Sequence, residues 1–141
     1  MAASPELLKL IERTEQLLGQ AVRDFSRVGD RFEVPYQSTR VIVHPIDWSP
    51  GRTLLRVIAP VVLGVKGTPE LYQRLSDLNN TTIFGKFYFM DETVWIEHNL
   101  LGETLSWEEF RAVLASAAPN AEHLDEALMT EFGGRRGRDH D

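Results

Sequence analysis

Cysteine is absent from the sequence, which excludes disulfide bonds, thiolate metal sites and cysteine nucleophiles together. Long apolar runs are absent as well, whereas a helix that spans a bilayer needs about 20 consecutive apolar residues. The amino-terminal segment has acidic residues where a secretory signal needs a positively charged start. The sequence therefore predicts a cytoplasmic protein with no membrane partner.

Positive charge is also in short supply. Fifteen basic residues stand against 21 acidic ones, which leaves a net charge of −6. This balance is unfavourable for binding a phosphate backbone. We therefore expect no nucleic-acid partner.

What remains is ordinary globular composition, with 43% hydrophobic and 26% charged residues in a chain of 141. That length is enough for one domain and short of two. We assign residues 1–134 to a single domain. Because residues 135–141 are polar and follow two glycines, we expect them to form a mobile tail.

Helical periodicity alternates with two-residue periodicity along the chain. Helices are predicted over residues 5–27, 69–80 and 107–132, each directly after a serine or threonine that can accept from free backbone N–H groups. Strands are predicted over residues 31–36, 39–48, 52–65, 83–90 and 93–101. Pro119 makes the last helical segment either two pieces or one bent helix. The order α-β-β-β-α-β-β-α predicts an α+β fold, with a five-stranded antiparallel sheet and helices on one face.

The last two predicted strands define a hairpin register. If Met90 faces Thr93 across the turn, the pairs that follow are Phe89 with Val94, Tyr88 with Trp95, Phe87 with Ile96, Lys86 with Glu97, Gly85 with His98 and Phe84 with Asn99. This register brings aromatic residues together and opposite charges together. Cross-strand pairs of this kind contribute about 0.2–1 kcal/mol each.

Both faces of the predicted sheet carry apolar side chains, whereas a half-solvated antiparallel sheet alternates cleanly between apolar and polar. Amphipathic helices cannot cover both faces of five strands. One apolar sheet surface should therefore meet another molecule. We assign partner binding to the face away from the helices, with five candidate residues: Arg56, Ile58, Phe84, Tyr88 and Trp95.

The sequence contains no pattern typical of catalysis or metal binding. None of the four histidines is three or four residues from another, so no helical metal pair exists. No serine lies in a Gly-x-Ser-x-Gly elbow, and residues 64–68 do not complete a phosphate-binding loop. We predict a non-enzymatic protein with no catalytic residue, metal or cofactor. His98 is interpreted as a packed core histidine, and a functional role is the alternative.

Several segments resemble the bacterial YbjN family in their order and spacing. They are FEVP at residues 32–35, TLLRVIAPVVLGV at 53–65, TPEL at 68–71, FG at 84–85, HNLLGETL at 98–105, AEHLDEAL at 121–128 and FGG at 132–134. The last two look like the actinobacterial branch of the family. Pro119 departs from the family pattern.

The resemblance implies a fold like that of the type III secretion chaperones, which are usually homodimers that bind extended peptide segments. It supplies no catalytic residues. We therefore predict a chaperone-like protein- or peptide-binding module, a homodimer with a possible regulatory role. Two alternatives stay open: a structural dimer without a client, and a small-molecule sensor or enzyme with a pocket near His98.

Overall fold

Three α-helices and seven β-strands make up residues 3–140, the part of the chain that the computed structural model describes. The helices are α1 (Pro5–Ala21), α2 (Pro69–Thr81) and α3 (Trp107–Phe132). The strands are β1 (Ser26–Val28), β2 (Arg31–Tyr36), β3 (Thr39–Ser49), β4 (Arg52–Leu63), β5 (Lys86–Met90), β6 (Thr93–Leu101) and β7 (Arg135–Arg136). A 3-10 turn, Gly137–Asp139, follows β7.

The helices begin where the sequence predicts. Ser4, Thr68 and Ser106 each accept a hydrogen bond from the backbone N–H three residues later, at 3.0, 3.1 and 3.2 Å. These caps satisfy N–H groups that the first turn of a helix leaves without a partner.

The strands form one antiparallel sheet in the order β1-β2-β3-β4-β6-β5, with β7 paired to the end of β4. The α+β architecture with an antiparallel sheet is confirmed, but the predicted count of five strands is wrong. The two additional strands, β1 and β7, have only three and two residues. Strands this short carry no recognisable periodicity, so the sequence does not reveal them.

Helix α1 ends at Ala21, earlier than the predicted end at residue 27. Val22 is already extended, with φ −133° and ψ 156°. The Phe25 ring then packs edge-on against Phe32, with 6.1 Å between the centroids. This contact draws the chain onto the sheet, and residues 26–28 pair with β2 instead of continuing the helix.

The register predicted for the last hairpin is confirmed from Lys86 to Met90, with Tyr88 opposite Trp95. The predicted pairing of Phe84 with Asn99 is wrong, because β5 begins only at Lys86. Gly85, at φ 82°, turns the chain away before that point.

The outer edge of β5 is occupied by a side chain from α2. The Asn79 amide accepts from the Phe87 backbone N–H at 2.7 Å and donates to the Phe87 carbonyl at 3.0 Å. It thus takes the place of a neighbouring strand at this residue, which protects part of an edge that could pair with another chain.

Alternate residues divide the sheet into two faces. The inner face contributes Phe32, Val43 and Val57 to a buried core that also contains side chains from all three helices. The residues of the other parity form the surface that we call the outer face. None of them belongs to that core except Val62, which follows a β-bulge in β4. The helices therefore pack on the inner face.

Helix α3 continues through Pro119 as a single helix. Buried residues on both sides of the proline, Ala117 and Ala121 among them, keep one face of the helix against the sheet. Burial along this face outweighs the one backbone hydrogen bond that a proline removes.

The carboxyl-terminal segment differs from the predicted polar tail. Arg135 and Arg136 pair with Leu63 and Val62 of β4, and the Arg138 N–H donates to the Ser38 carbonyl at 2.9 Å. The segment packs on the sheet because its charge has a buried partner. Arg136 Nη1 lies 3.3 Å from Oδ2 of Asp125, and the Asp125 side chain is only 3% exposed.

Asp125 belongs to a small polar cluster that joins α3, the turn between β2 and β3, and β7. The Ser38 hydroxyl contacts the carboxylates of both Asp125 and Glu122. The Ser38 backbone N–H donates to Glu122 at 2.9 Å. The hydrogen bond from the Ser38 side chain lowers the pKa of Glu122. We call these residues and Arg136 the anchor cluster.

We expect Asp125→Ala to lower the free energy of unfolding by about 1–3 kcal/mol, because Ser38 and Arg136 would lose a buried hydrogen-bond partner. Urea unfolding measures the loss. Glu126→Ala, which changes an exposed side chain of the same helix, should cost less than about 0.5 kcal/mol. Equal losses in the two variants would contradict a stabilising role for the anchor cluster.

Candidate functional site

The outer face is ordered by strand register into rows of neighbouring side chains. One row, here called the aliphatic row, contains Ile46, Leu54 and Leu101 of β3, β4 and β6. The next row, here called the polar row, contains His44, Arg56 and Asn99. A third row contains Ile42, Ile58 and Glu97, and Lys86 of β5 extends it.

The aliphatic row is accessible at one end of the sheet. Leu101 is 51% exposed, and Leu54 and Ile46 are partly exposed. Trp48, at the end of β3, is 50% exposed and lies under the Arg52 guanidinium, 5.6 Å from the ring centroid. Within residues 3–140, none of these side chains belongs to the buried core against which the helices pack. They therefore form an accessible apolar surface.

A hydrogen-bonded group connects the third row to Tyr88. The Tyr88 hydroxyl donates to Glu97 Oε1 at 3.0 Å. Burial, followed by the negative charge of Glu97, raises the pKa of Tyr88, so the phenol stays neutral and remains a donor. Glu97 Oε2 accepts from Asn99 Nδ2 at 3.0 Å. Both carboxylate oxygens of Glu97 are therefore engaged.

Trp95 lies on the outer face, but it is not available there. The His140 ring packs edge-on against it with 4.9 Å between centroids, and Trp95 is only 6% exposed. Arg40 of β3 holds this end of the chain by donating to the His140 carbonyl. The carboxyl-terminal segment therefore covers Trp95, and its role in partner binding stays a prediction.

The structure brings together four of the five predicted site residues. Arg56, Ile58, Tyr88 and Trp95 share the outer face. Phe84 does not join them, since it precedes β5 and its ring lies 5.9 Å from the His98 ring. It remains 44% exposed, and the adjacent Ile83 is 87% exposed. These two residues form a second exposed apolar patch, which we call the Ile83 patch.

The prediction omitted all three members of the aliphatic row, Ile46, Leu54 and Leu101. Leu54 could have been found, because it shares the parity of Arg56 and Ile58 along β4. The turn rule misplaces Ile46: pairing Ser49 with Arg52 predicts Ile46 opposite Leu55, and a β-bulge between Asp47 and Ser49 shifts it opposite Leu54. Leu101 pairs with Leu54 on its other side, but α2 and β5 separate β4 from β6 in the chain, so no turn fixes this register in the sequence.

His98 projects from β6 toward the helices, next to Phe84 and Ser116. Burial lowers its pKa, which favours the neutral ring. The space between these residues is too small to hold a water molecule. The predicted alternative of a small-molecule pocket beside His98 therefore has no cavity to support it.

A larger apolar cavity, of about 210 Å³, lies between the end of α1, the end of β2 and α3. Its walls include Val22, Val34, Tyr36 and Leu114, with Arg111 at its margin.

No group of three or more histidine and carboxylate side chains in the described part of the chain could hold a metal ion. None of the described helices is long and apolar enough to cross a membrane.

The architecture is shared with a solved protein structure. The crystal structure of the ExsC–ExsE complex contains a chain with a TM-score of 0.62 and 20% sequence identity to this one. The match covers 91% of this chain and 97% of that chain. At this level of identity the likeness defines the fold: an α+β domain with three helices against an antiparallel sheet.

Comparison of the sequence with protein families assigns the chain to one of them. A family model described as "T3SS (YopN, CesT) and YbjN peptide-binding chaperone 1" matches residues 7–140. The chain belongs to this family of peptide-binding chaperones, and the resemblance to the YbjN proteins is confirmed. No protein of curated function matches the sequence.

Proposed function

We propose that this protein is a non-catalytic chaperone that binds an extended segment of a client protein on the outer face of its sheet. The observation that carries the proposal is the aliphatic row, whose side chains remain accessible although the core of the domain is complete without them. Exposed apolar side chains that adjoin one another are typical of surfaces that bind other proteins.

Two comparisons support this function. The family is described as one of peptide-binding chaperones. The solved structure of similar fold is a complex of ExsC with ExsE. Within the outer face, Arg56, Ile58 and Tyr88 are the predicted residues that a client can reach, whereas contact with Trp95 requires the carboxyl-terminal segment to move.

We expect Leu101→Asp to weaken binding to an array of short synthetic peptides of diverse sequence at least about tenfold, which corresponds to about 1.4 kcal/mol. The carboxylate would stand within the aliphatic row and oppose burial of an apolar client side chain. The measurement is peptide-array binding followed by titration of the best peptides.

The matched control is Leu8→Asp, which places the same charge on a similarly exposed leucine of α1. It should bind as the wild type does, and circular dichroism should show both variants folded. Equal loss in the two variants, or no peptide binding by the wild type, would contradict a client site on the outer face.

We further propose that the chain forms a homodimer through the Ile83 patch. Ile83 and Phe84 are consecutive, largely exposed and apolar, and they lie beside the edge strand β5. Phe84 packs on His98 at the helix side of the sheet, whereas the aliphatic row lies on the outer face, so a dimer formed here would leave the outer face open. Such a dimer could hold two clients and give the chaperone a regulatory role.

We expect Ile83→Asp to shift the wild-type dimer to a monomer in sedimentation-velocity experiments, because the charge would be buried at the centre of the interface. Leu8→Asp is again the matched control and should sediment as the wild type does. A wild-type monomer, or an Ile83→Asp variant that remains dimeric, would exclude this interface.

A further inference from the structure

The outer face repeats one chemical pattern on two adjacent strands. Along β4, residues 54, 56 and 58 read leucine, arginine, isoleucine. Along β3, residues 46, 44 and 42 read isoleucine, histidine, isoleucine, and each faces its counterpart on β4. Both strands thus carry an aliphatic, a basic and an aliphatic side chain in succession on this face, although Ile42 of β3 is buried. The polar row contains two basic residues and no acidic one.

Arg56 at the centre of this pattern has unused hydrogen-bonding capacity. Its Nε is buried and has no hydrogen-bond partner among the described residues. The nearest carboxylate oxygen, Oε1 of Glu97, lies 3.7 Å away, which is an ion-pair distance and too long for a hydrogen bond. Glu97 instead accepts from Tyr88 and Asn99.

The guanidinium group can still be reached from outside. The Arg56 side chain is 39% exposed, and a guanidinium offers five N–H donors in a planar fork that matches a carboxylate. On the neighbouring strand, His44 is 30% exposed and lies 3.6 Å from the exposed Asp30. An incoming carboxylate can therefore reach the exposed part of the Arg56 guanidinium, although Nε itself is buried.

We propose that the outer face recognises an extended peptide with the pattern aliphatic-x-acidic-x-aliphatic, with its acidic residue on Arg56. This inference rests on the proposed function and names the chemistry of the client. Alternate residues of an extended chain are about 6.6–6.8 Å apart, the same spacing as residues 54, 56 and 58 of β4. A peptide lying along β4 therefore places its aliphatic residues on Leu54 and Ile58 when its acidic residue is on Arg56.

Charge favours a peptide over a second copy of this chain as the occupant. If two outer faces met around a two-fold axis at the polar row, Arg56 of one copy would approach Arg56 of the other. Like charges buried together are strongly unfavourable. The chain as a whole carries a net charge of −6, which does not attract an acidic segment. The attraction would come from the local positive charge of the polar row.

The test uses three synthetic peptides that differ at one position: Ser-Leu-Thr-Asp-Thr-Leu-Ser and the same sequence with Asn or Lys in place of Asp. Isothermal titration of the full chain should show the Asp peptide binding at least about tenfold more tightly than the Asn peptide, since a charge-assisted pair replaces a neutral one. The Lys peptide should bind most weakly. Added salt should reduce the advantage of the Asp peptide.

The Arg56→Gln variant should bind the Asp and Asn peptides with equal affinity. Its affinity for the Asn peptide should match that of the wild type. Arg56→Lys keeps the charge and should retain part of the preference. Arg74→Gln is the matched control: it removes a partly exposed arginine of α2 that pairs with Glu131 of α3 and should leave the preference intact.

The outcomes separate the two proposals. Equal binding of the Asp and Asn peptides to the wild type would overturn the acidic preference and leave peptide binding on the outer face standing. A preference for Asp that survives in Arg56→Gln would overturn the assignment to Arg56. Failure of every peptide to bind would overturn both this inference and the client site on the outer face.

Discussion

The backbone pairing of β4 with β3 on one side and β6 on the other is the constraint on which the rest of the structure depends. Because strand side chains alternate between faces, burial of Leu55 and Val57 against the helices forces Arg56 and Ile58 outward. A shift of one residue would place the Arg56 guanidinium in the core, which is prohibitively costly. Core packing on one face thus fixes the order of residues on the other.

Part of this arrangement could be predicted from the sequence. The tight turn at Asp91 and Glu92 fixes the register of the last hairpin, and the helix caps mark where the helices begin, because both signals are local. The end of α1 could not be predicted, since it depends on a contact between Phe25 and Phe32. The segment after residue 134 was misjudged for a similar reason: the partner of Arg136 is Asp125 on another element.

Prediction of the candidate site from the sequence has the same limit, because contacts between distant residues leave no local signal. Parity correctly placed Arg56, Ile58, Tyr88 and Trp95 on one face, since parity follows from strand geometry alone. It could not show that the carboxyl-terminal segment returns to cover Trp95, because the anchor cluster that holds this segment joins residues distant in sequence. Phe84 was misplaced because a single glycine with positive φ ends the pairing before it.

The outer face is therefore divided between two uses. At the Trp95 end, the chain binds its own last residues through the anchor cluster and Arg40. At the other end, the aliphatic and polar rows remain accessible next to a complete core. The family is one of peptide-binding chaperones, and we propose the accessible rows as the binding site.

The most direct test of this account is an isoleucine δ1-methyl NMR spectrum recorded while the Asp peptide is added. The account predicts that the Ile46 and Ile58 methyl resonances shift, since both lie on the outer face, whereas Ile11 of α1 and Ile96 of the inner face stay unchanged. Shifts confined to Ile11 and Ile96, with Ile46 and Ile58 unaffected, would contradict it.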